Sequence, residues 1–570
     1  MIGLILVAAP VVRVQNYAIV GRVSPKGAIS QMNKRIDVGT YTPSRGNGIV
    51  PFLFTEVYLD TAPNQYTLWG NSHRSLYRNG DTIGVAFRRV EALGGSGRIG
   101  AAWSFDGGMT WSVRGNINYD AGLADMGGRY PNFVGFTTSG FPVVAWPELL
   151  PGPAWGKSCI AFIDGSGTPR GVCSDRTPSG DSVYHNFAWM VAPDTFAVVG
   201  FTTGDGIVGF LFDVATNSII PGSEVKLRDP AILEDVSIYD ISLKGDTLYV
   251  MGTNAGLGEG DGVVKIFYDG TGLATDPLPP SQGGSNVVES HIFCCWVITI
   301  GSNTFDNLGD VAYSFTIDRY GRGWSVYAMK DTSVDPGSGP GHIIVMHRWD
   351  DSRLVIFAPW NGGNVETRNP VYWPRLAVDE TDSNKLAVFW IQYLDTLNYG
   401  CATGTHPFAK SIFYAATSDG GTTWGINIVT NPTDLADFFF PARDAGADYT
   451  FSGGLITGVY LTPRDATTDI YCNAVANGVI GSYLHVVTDT ISYTSNYPGD
   501  TTIIVSVNER TNEVTKLAVF RNGVFINGSA AIYDVKGSLV RNVEGSQFIR
   551  LNKGAYFIRV NGRVYKVVIR

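Results

Sequence analysis

The chain has 570 residues, of which 16% are charged and 12% are aromatic, and it contains 69 glycines. This composition is typical of a β-rich, well-packed protein and excludes a disordered or coiled-coil chain. The sequence has no apolar run of about 18 residues, so no transmembrane helix is predicted. The net charge of −9 argues against a nucleic-acid-binding role.

Charge is unevenly distributed along the chain. Residues 501–570 carry 11 Lys and Arg against 4 Asp and Glu, a balance of +7, which leaves −16 on the rest of the chain. Two interpretations are open. Both surfaces are simply solvated, or the basic tail of one molecule docks on the acidic body of another.

Residues 1–14 form an apolar start without a basic residue before it. A secretory signal peptide normally has that positive start. The segment is therefore interpreted either as a signal remnant or as an apolar N-terminal strand. Such a strand could add to an open sheet edge, its own or a neighbour's.

An eight-residue motif occurs twice, at 104–111 (Ser-Phe-Asp-Gly-Gly-Met-Thr-Trp) and at 417–424 (Thr-Ser-Asp-Gly-Gly-Thr-Thr-Trp). The Asp accepts backbone hydrogen bonds in a turn, the glycines permit positive φ, and the Trp has an apolar body to bury. Both copies follow strand-like residues, so each predicts the tight turn of a β-hairpin. The residues expected to build these turns are Ser104, Asp106, Gly108, Thr110, Trp111, Asp419, Gly421, Thr423 and Trp424.

These two motifs resemble the Asp-box, or BNR repeat, of sialidase-like β-propellers. In that family the box lies on the turn between the two outer strands of a blade, away from the central ligand site. The resemblance implies a propeller over residues 15–492. It implies little about activity.

A looser unit also recurs: strand, short polar turn, strand. Seven such hairpins follow one another at intervals of roughly 50–75 residues, a period expected of propeller blades. We therefore predict an all-β fold with a seven-bladed propeller, or a six-bladed one if a hairpin belongs to an insertion. The predicted hairpins are 76–87, 133–146, 189–201, 241–251, 315–327, 376–390 and 449–460.

The C-terminal part has a different pattern. Residues 493–501 read as a linker, and residues 502–570 contain many short strands, which predicts a small β-sandwich. Its segments 531–540, 551–560 and 565–570 resemble the C-terminal sorting domain of the type IX (Por) secretion system. The resemblance implies a secreted or surface-attached bacterial protein whose tail is often cleaved.

Six cysteines are few for this length. Cys159 and Cys173 flank a predicted hairpin and could bridge across it, and Cys401 could pair with Cys472 between neighbouring blades. Buried free thiols are the alternative. The adjacent pair 294–295 is not expected to bond internally, and no Cys/His spacing indicates zinc.

The sialidase resemblance implies an arginine clamp with a Tyr nucleophile and acidic partners. The sequence has Arg98-Ile99-Gly100 where that family has Arg-Ile-Pro, which counts against the clamp. The arginines placed near strand starts are Arg74, Arg88, Arg89, Arg375 and Arg443. Carboxylates for a glycosidase of another type would come from Asp235, Asp240, Asp310, Asp318, Asp379, Asp444 and Asp448, among which no pair is singled out because propeller turns use Asp structurally.

No resident cofactor is expected. Residues 379–384 (Asp-Glu-Thr-Asp-Ser-Asn) are acidic enough for Ca²⁺ but lack the EF-hand pattern, and a solvated turn is the alternative. Aromatic residues at 360–364 and 438–441 could stack on a glycan or a partner protein, against the alternative of packing between blades.

Two functions follow from the sequence. The first is a secreted or cell-surface, non-catalytic propeller that binds glycans or self-associates into a filament, tube or surface layer. Its C-terminal domain and N-terminal strand would make the contacts. The alternative is a glycoside hydrolase of sialidase-like type.

Overall fold

A computed structural model describes most of the chain in segments. These are residues 55–62, 68, 74–89, 97–150, 156–174, 183–202, 207–228, 238–253, 261–275, 297–300, 303–307, 313–317, 323–331, 343–348, 353–357, 371–393, 410–428, 437–441, 449–463, 482–494, 502–506, 516–520, 523–527, 530–534, 537–543, 546–552, 554–560 and 563–569. The predictions for residues 1–14, for the cysteines at 294, 295, 401 and 472, and for the aromatic segment 360–364 lie outside them.

Within these segments the protein is all-β, with one short helix, and the chain divides between Val505 and Ser506 into two compact units. The larger unit contains β1 (Thr55–Ala62), β2 (Leu76–Asn79), β3 (Thr82–Arg88), β4 (Ile99–Ser104), β5 (Ser112–Arg114), α1 (Ile117–Asp120), β6 (Asn132–Phe136), β7 (Pro142–Leu149), β8 (Gly156–Ile163), β9 (Pro169–Ser174), β10 (Val183–Ala192), β11 (Thr195–Thr202), β12 (Ile207–Asp213), β13 (Ser218–Ile219), β14 (Val225–Arg228), β15 (Ile238–Lys244), β16 (Thr247–Thr253), β17 (Asp261–Tyr268), β18 (Leu273–Thr275), β19 (Val297–Ile300), β20 (Asn303–Asn307), β21 (Tyr313–Ile317), β22 (Gly323–Asp331), β23 (Ile343–Arg348), β24 (Arg353–Phe357), β25 (Val371–Asp379), β26 (Leu386–Tyr393), β27 (Lys410–Thr417), β28 (Gly425–Ile428), β29 (Asp437–Pro441), β30 (Tyr449–Phe451), β31 (Leu455–Pro463), β32 (Ser482–Thr490) and β33 (Thr502–Ser506).

Strands that are consecutive in sequence pair in consecutive order. The runs are β2-β3-β4-β5, β6-β7-β8-β9, β10-β11-β12 followed by β13 and β14, β15-β16-β17-β18, β21-β22-β23-β24 and β25-β26-β27-β28. A single pairing, between Gly156 and Val183, joins the second run to the third. Neighbouring antiparallel strands need only short turns, so this local pairing order follows from the hairpin pattern of the sequence.

Six of the seven predicted hairpins are present as antiparallel strand pairs. The seventh differs. Its first strand, β30, pairs in parallel with β25, and it meets β31 only through the bridge between Ser452 and Leu455.

The earliest described strand joins the last sheet of the larger unit. β1 pairs antiparallel with β32, and the sheet order is β1-β32-β31-β29. The sequence analysis did not predict β1. Strands from the two ends of the larger unit therefore share one sheet.

Apolar side chains fill the space between successive sheets. One cluster joins the first and second runs through Ile99 and Trp146, and others join the second to the third, the third to the fourth and the fifth to the sixth. A further cluster joins the first run, the sixth run and the β1-β32-β31 sheet through Phe87, Phe389 and Val486. Sheets covered on both faces need near-continuous apolar strands, as in β11, where seven of eight residues are buried.

The smaller unit contains two sheets. Their orders are β34-β35-β38 and β37-β36-β39-β40. The strand bounds are β34 (Lys516–Phe520), β35 (Gly523–Asn527), β36 (Ala530–Asp534), β37 (Leu539–Val543), β38 (Ser546–Arg550), β39 (Gly554–Val560) and β40 (Arg563–Ile569). The analysis did not predict β37, and β33, which it assigned to the C-terminal sandwich, pairs with β24 of the larger unit.

Cys159 of β8 lies directly opposite Cys173 of β9, and the two form a disulfide with a Cα–Cα distance of 4.1 Å. The bond closes the β8–β9 hairpin, because the two residues are 14 positions apart.

Replacing both Cys159 and Cys173 with alanine is expected to lower the free energy of unfolding by about 2–3 kcal/mol, because a loop this short restricts the unfolded chain only moderately. Denaturant unfolding with and without reductant checks this. Reductant should move the wild type toward the variant and leave the variant unchanged. Equal stability of both proteins under both conditions would refute the expectation.

Candidate functional site: a buried polar cluster

Seven buried polar residues lie in, or just before, the first strands of the six runs and in β30. We call them the polar cluster: Arg74, Asn132, Asn186, Asp240, Ser314, Arg375 and Tyr449. Each is no more than 2% exposed. Because buried polar groups are costly unless they are hydrogen-bonded, their partners decide what the cluster does.

Arg74 is the centre of the cluster. Its Nη2 lies 2.6 Å from Oδ1 of Asp240, and its Nη1 donates to the Tyr449 hydroxyl over 3.1 Å. Its Nη2 also donates to the carbonyl of Ile241. The guanidinium carbon lies 4.3 Å from the centre of the Tyr449 ring. The Arg74 side chain thereby connects β15 and β30 to the segment just before β2.

Further contacts link the remaining members. The Arg74 amide donates to Oδ1 of Asn132, and Nδ2 of Asn132 donates to the carbonyl of Asn186 over 2.8 Å. The Phe315 amide donates to Oδ2 of Asp240 over 2.7 Å. The Leu376 amide donates to the Ser314 hydroxyl over 3.2 Å. In each case a side chain from one run of strands hydrogen-bonds a backbone group in or next to another run.

Arg375 and Tyr449 also influence each other. Burial lowers the pKa of Arg375, while the nearby Tyr449 and Asp240 act to raise it. Burial raises the pKa of Tyr449, and the two arginines act in the opposite direction. A tyrosine with a raised pKa stays protonated at neutral pH, which makes it a hydrogen-bonding group rather than a nucleophilic phenolate.

Of the other arginines predicted for a clamp, the structure describes Arg88 and Arg89. Arg88 is buried, and Arg89 is partly buried. Arg443 lies outside the described residues. Of the predicted carboxylates, Asp240 is in the cluster and Asp379 caps a turn, while the aspartates at 235, 310, 318, 444 and 448 lie outside the described segments.

The first motif forms a hydrogen-bonded turn between β4 and β5. The Ser104 hydroxyl donates to Oδ1 of Asp106 over 2.7 Å and accepts from the Gly108 amide over 2.9 Å. Asp106 also accepts from the Thr110 amide and from the Thr110 hydroxyl, at 2.9 and 2.6 Å. The indole of Trp111 donates to the Gly108 carbonyl over 2.9 Å.

The second motif has the same geometry between β27 and β28. Asp419 accepts from the Thr417 hydroxyl at 2.8 Å and from the Thr423 hydroxyl at 2.7 Å, and Trp424 donates to the Gly421 carbonyl at 3.2 Å. The paired glycines of both motifs have positive φ, from 71 to 94°. Both turns join the third and fourth strands of a sheet. The Asp and Ser/Thr side chains are therefore occupied within the turn.

Three further outer turns use an aspartate in the same way, and the sequence analysis did not identify them. Asp164 between β8 and β9 accepts from Ser166 and Thr168, Asp213 between β12 and β13 accepts from Thr216, and Asp269 between β17 and β18 accepts from Thr271. The signal present in the sequence is an Asp followed two or three residues later by Ser or Thr.

Acid is expected to weaken the first turn. Hydrogen bonds from Thr110 and Ser104 lower the pKa of Asp106 to about 2. Since the folded pKa lies below the unfolded value of about 3.9, the contribution to stability is complete above about pH 4 and is lost as pH falls toward 2. The stability difference between wild type and Asp106→Asn, measured by denaturant unfolding, should shrink over that interval. A difference independent of pH would contradict this.

The predicted calcium segment is a hydrogen-bonded turn after β25. Oδ1 of Asp379 accepts from the Thr381 amide at 2.8 Å, the Thr381 hydroxyl at 2.6 Å and the Asp382 amide at 3.1 Å. In the part of the chain that the structure describes, no group of three or more His, Cys, Asp or Glu is placed to hold a metal ion. Ca²⁺ binding stays an untested prediction.

A second buried carboxylate was not anticipated from the sequence. Glu148 on β7 accepts from the Asp125 and Gly127 amides at 3.1 and 2.7 Å, from Asn118 at 3.0 Å and from the Trp146 indole at 2.8 Å. Burial raises its pKa, against the lowering effect of these donors. With all its partners supplied by the protein, Glu148 fastens the segment after α1 to β7.

Comparisons with known proteins give no family. No family model matches the sequence, and no curated protein matches it. Three solved structures illustrate the matches to known folds. PorZ, an essential bacterial surface component of the type IX secretion system of Porphyromonas gingivalis, is 12% identical with a TM-score of 0.29; the match covers 88% of this chain and 59% of PorZ. Polysaccharide lyase Uly1 is 7% identical with a TM-score of 0.40; the match covers 74% of this chain and 92% of the lyase.

The third structure is an endo-arabinase from Bacteroides thetaiotaomicron. It is 14% identical with a TM-score of 0.27, and the match covers 54% of this chain and 93% of the enzyme.

None of the helices in the described part of the chain is long and apolar enough to cross a membrane.

Proposed function

We propose that this protein is a secreted or cell-surface, non-catalytic β-propeller that self-associates into an extracellular filament, tube or surface layer. The observation that carries this proposal is the burial of the polar cluster. A sialidase-like site would present arginines and a tyrosine to a substrate. In this protein Arg74, Arg375 and Tyr449 are instead buried, and they interact with Asp240, with one another and with backbone groups.

The proposed fold is a propeller of seven blades followed by a small C-terminal sandwich that resembles a type IX sorting domain. Six successive runs, five of four strands and one of five, supply seven units together with the β1-β32-β31-β29 sheet. Packing between successive units, and between the last and the first, supports a closed arrangement. In this interpretation β1, which comes from the start of the larger unit, completes the seventh blade and so joins the last blade to the first.

Self-association is supported by charge. Residues 501–570 carry a net charge of +7 and the rest of the chain −16. The basic C-terminal region of one copy therefore attracts the acidic remainder of another. Sedimentation velocity and electron microscopy of the full chain over a wide concentration range test the proposal. Multimers or filaments that dissociate at high salt are expected. A chain that stays monomeric throughout would overturn it.

A second candidate, a glycoside hydrolase, is favoured by one observation: two arginines, an aspartate and a tyrosine lie together in the polar cluster. A panel of fluorogenic glycosides tests it. Hydrolysis that disappears in Tyr449→Phe while the variant remains folded would establish the enzyme. Total inactivity across the panel supports the non-catalytic proposal.

A further inference from the structure

Large apolar side chains are exposed in two concentrations. Among the described residues, five of the ten exposed large apolar side chains lie between positions 105 and 126, and two are adjacent on β37. Contiguous exposed apolar surface, unlike a single exposed residue, indicates an interaction site.

The first concentration centres on the first turn motif and β5. Met109 is 82% exposed, Phe105 56% and Val113 48%. We call these three residues the box-1 face. The Phe105 ring lies 5.3 Å from the ring of Phe136, which holds it in place. β5 is the outermost strand of its sheet among the described strands, and an outermost strand is a place where another chain can pair.

The second motif shows that this apolar surface is not required by the turn. The positions of Phe105 and Met109 are occupied there by Ser418 and Thr422, while the hydrogen bonds of the two turns are the same in kind. Because the turn folds with polar residues at both positions, the apolar pair of the first motif requires another explanation. A docking surface provides one.

Acidic groups border the box-1 face. Asp81 is exposed and accepts the Gly107 amide through its backbone carbonyl at 2.8 Å, so it lies beside the turn. Asp106 is within the turn itself, and its pKa of about 2 keeps it ionised at neutral pH. A matching surface should therefore be apolar and basic.

β37 has that character. Leu539 is 52% exposed and Val540 47%, and Arg541 beside them is exposed as well. Successive side chains of a strand alternate between the two sides of the sheet, so these three residues flank the outer edge of β37 on both sides, and we call this edge the β37 face. β37 is an outermost strand of its sheet, and the C-terminal region that contains it carries a net charge of +7. Its apolar pair and its basic neighbour complement the box-1 face.

We propose that the box-1 face of one molecule binds the β37 face of a second copy. The inference rests on the proposed self-association and names the surfaces that make it. Two different faces of one chain form a heterologous contact, which repeats from copy to copy and produces an open filament or a closed ring. Edge strands with exposed apolar residues add to one another in this way.

Two variants remove one face each. Phe105→Ser/Met109→Thr copies the residues of the second motif, so the turn is expected to fold. Leu539→Thr/Val540→Thr places a β-branched residue at both positions of β37, which suits a strand. Each variant should weaken assembly by about tenfold or more, since it removes two apolar contacts. Met190→Thr is the matched control, because Met190 is exposed on β10 outside both faces, and it should assemble like the wild type.

Mixing the two variants gives the sharper test. The molecule without the box-1 face keeps its β37 face, and the other keeps its box-1 face, so the mixture should form one-to-one dimers that stop there. Sedimentation velocity of each variant alone and of the mixture measures this, with circular dichroism confirming that all variants fold.

The outcomes separate the two proposals. A wild type that never assembles overturns both the self-association and this contact. A wild type that assembles while both variants assemble equally well overturns the contact alone. Variants that are monomeric alone but form no dimer on mixing also overturn it, because they would show that the two faces do not meet.

Discussion

Asp240→Ala should lower the free energy of unfolding of the larger unit by about 3–5 kcal/mol. The substitution leaves the buried Arg74 guanidinium without the carboxylate that lies 2.6 Å from it, and it leaves the Phe315 amide without its acceptor. Removing one member of a buried ion pair is costly, because the charge that remains has lost its partner and does not regain water. Calorimetry and urea unfolding of the full chain measure the change.

The ion pair between Arg114 and Asp120 is the matched control. Its atoms are 2.5 Å apart, but both side chains are more than a third exposed. Asp120→Ala should therefore cost less than about 1 kcal/mol. The double variant Arg74→Met/Asp240→Leu should lose less free energy of unfolding than the single variants Arg74→Met and Asp240→Leu lose together, because neither buried charge is then left without its partner. Equal effects of Asp240→Ala and Asp120→Ala would show that the polar cluster does not fasten the sheets.

The hairpins and both turn motifs were predictable because their information is local. An Asp-Gly-Gly turn needs residues within eight positions of one another, and a hairpin needs two short runs and a turn. The polar cluster could not be predicted from local sequence alone. From the sequence, Arg74 and Arg375 were placed near strand starts and Asp240 near a predicted hairpin. Arg74 is 166 positions from Asp240 and 375 from Tyr449, however, and no sequence period links such distant residues.

The strands that were missed or assigned to the wrong unit each have a physical reason. β1 is far in sequence from β32, the strand with which it pairs. β37 has exposed residues along most of its length, so it lacks the apolar alternation that identifies a half-buried strand. β33 reads as a strand and was assigned to the C-terminal sandwich, but it pairs with β24 of the larger unit. Sequence pattern identifies strands more readily than it identifies their partners.

Trp424→Ala should lower the free energy of unfolding by about 3–5 kcal/mol, which is typical when a buried aromatic side chain is removed from a core. Trp424 is nearly buried, and its ring meets Phe357 at a centroid distance of 5.0 Å in an edge-on arrangement. The cavity left by alanine would lie between the fifth and sixth strand runs, where the packing cannot close fully. Trp424→Phe should retain most of the stability, since it keeps an aromatic body at the site.

Trp111 provides the internal comparison, because it makes the same indole hydrogen bond but is only partly buried. Trp111→Ala should cost about 1–2 kcal/mol, less than Trp424→Ala, since less apolar area returns to water. Denaturant unfolding of both variants measures the difference. If the two losses were equal, the shared hydrogen bond rather than burial would account for them. A larger loss at Trp424 would show that the repeated motif stabilises the fold through its tryptophan. That result would agree with a structural role for both turns, and it would leave the exposed Phe105 and Met109 of the first turn available for contact with another molecule.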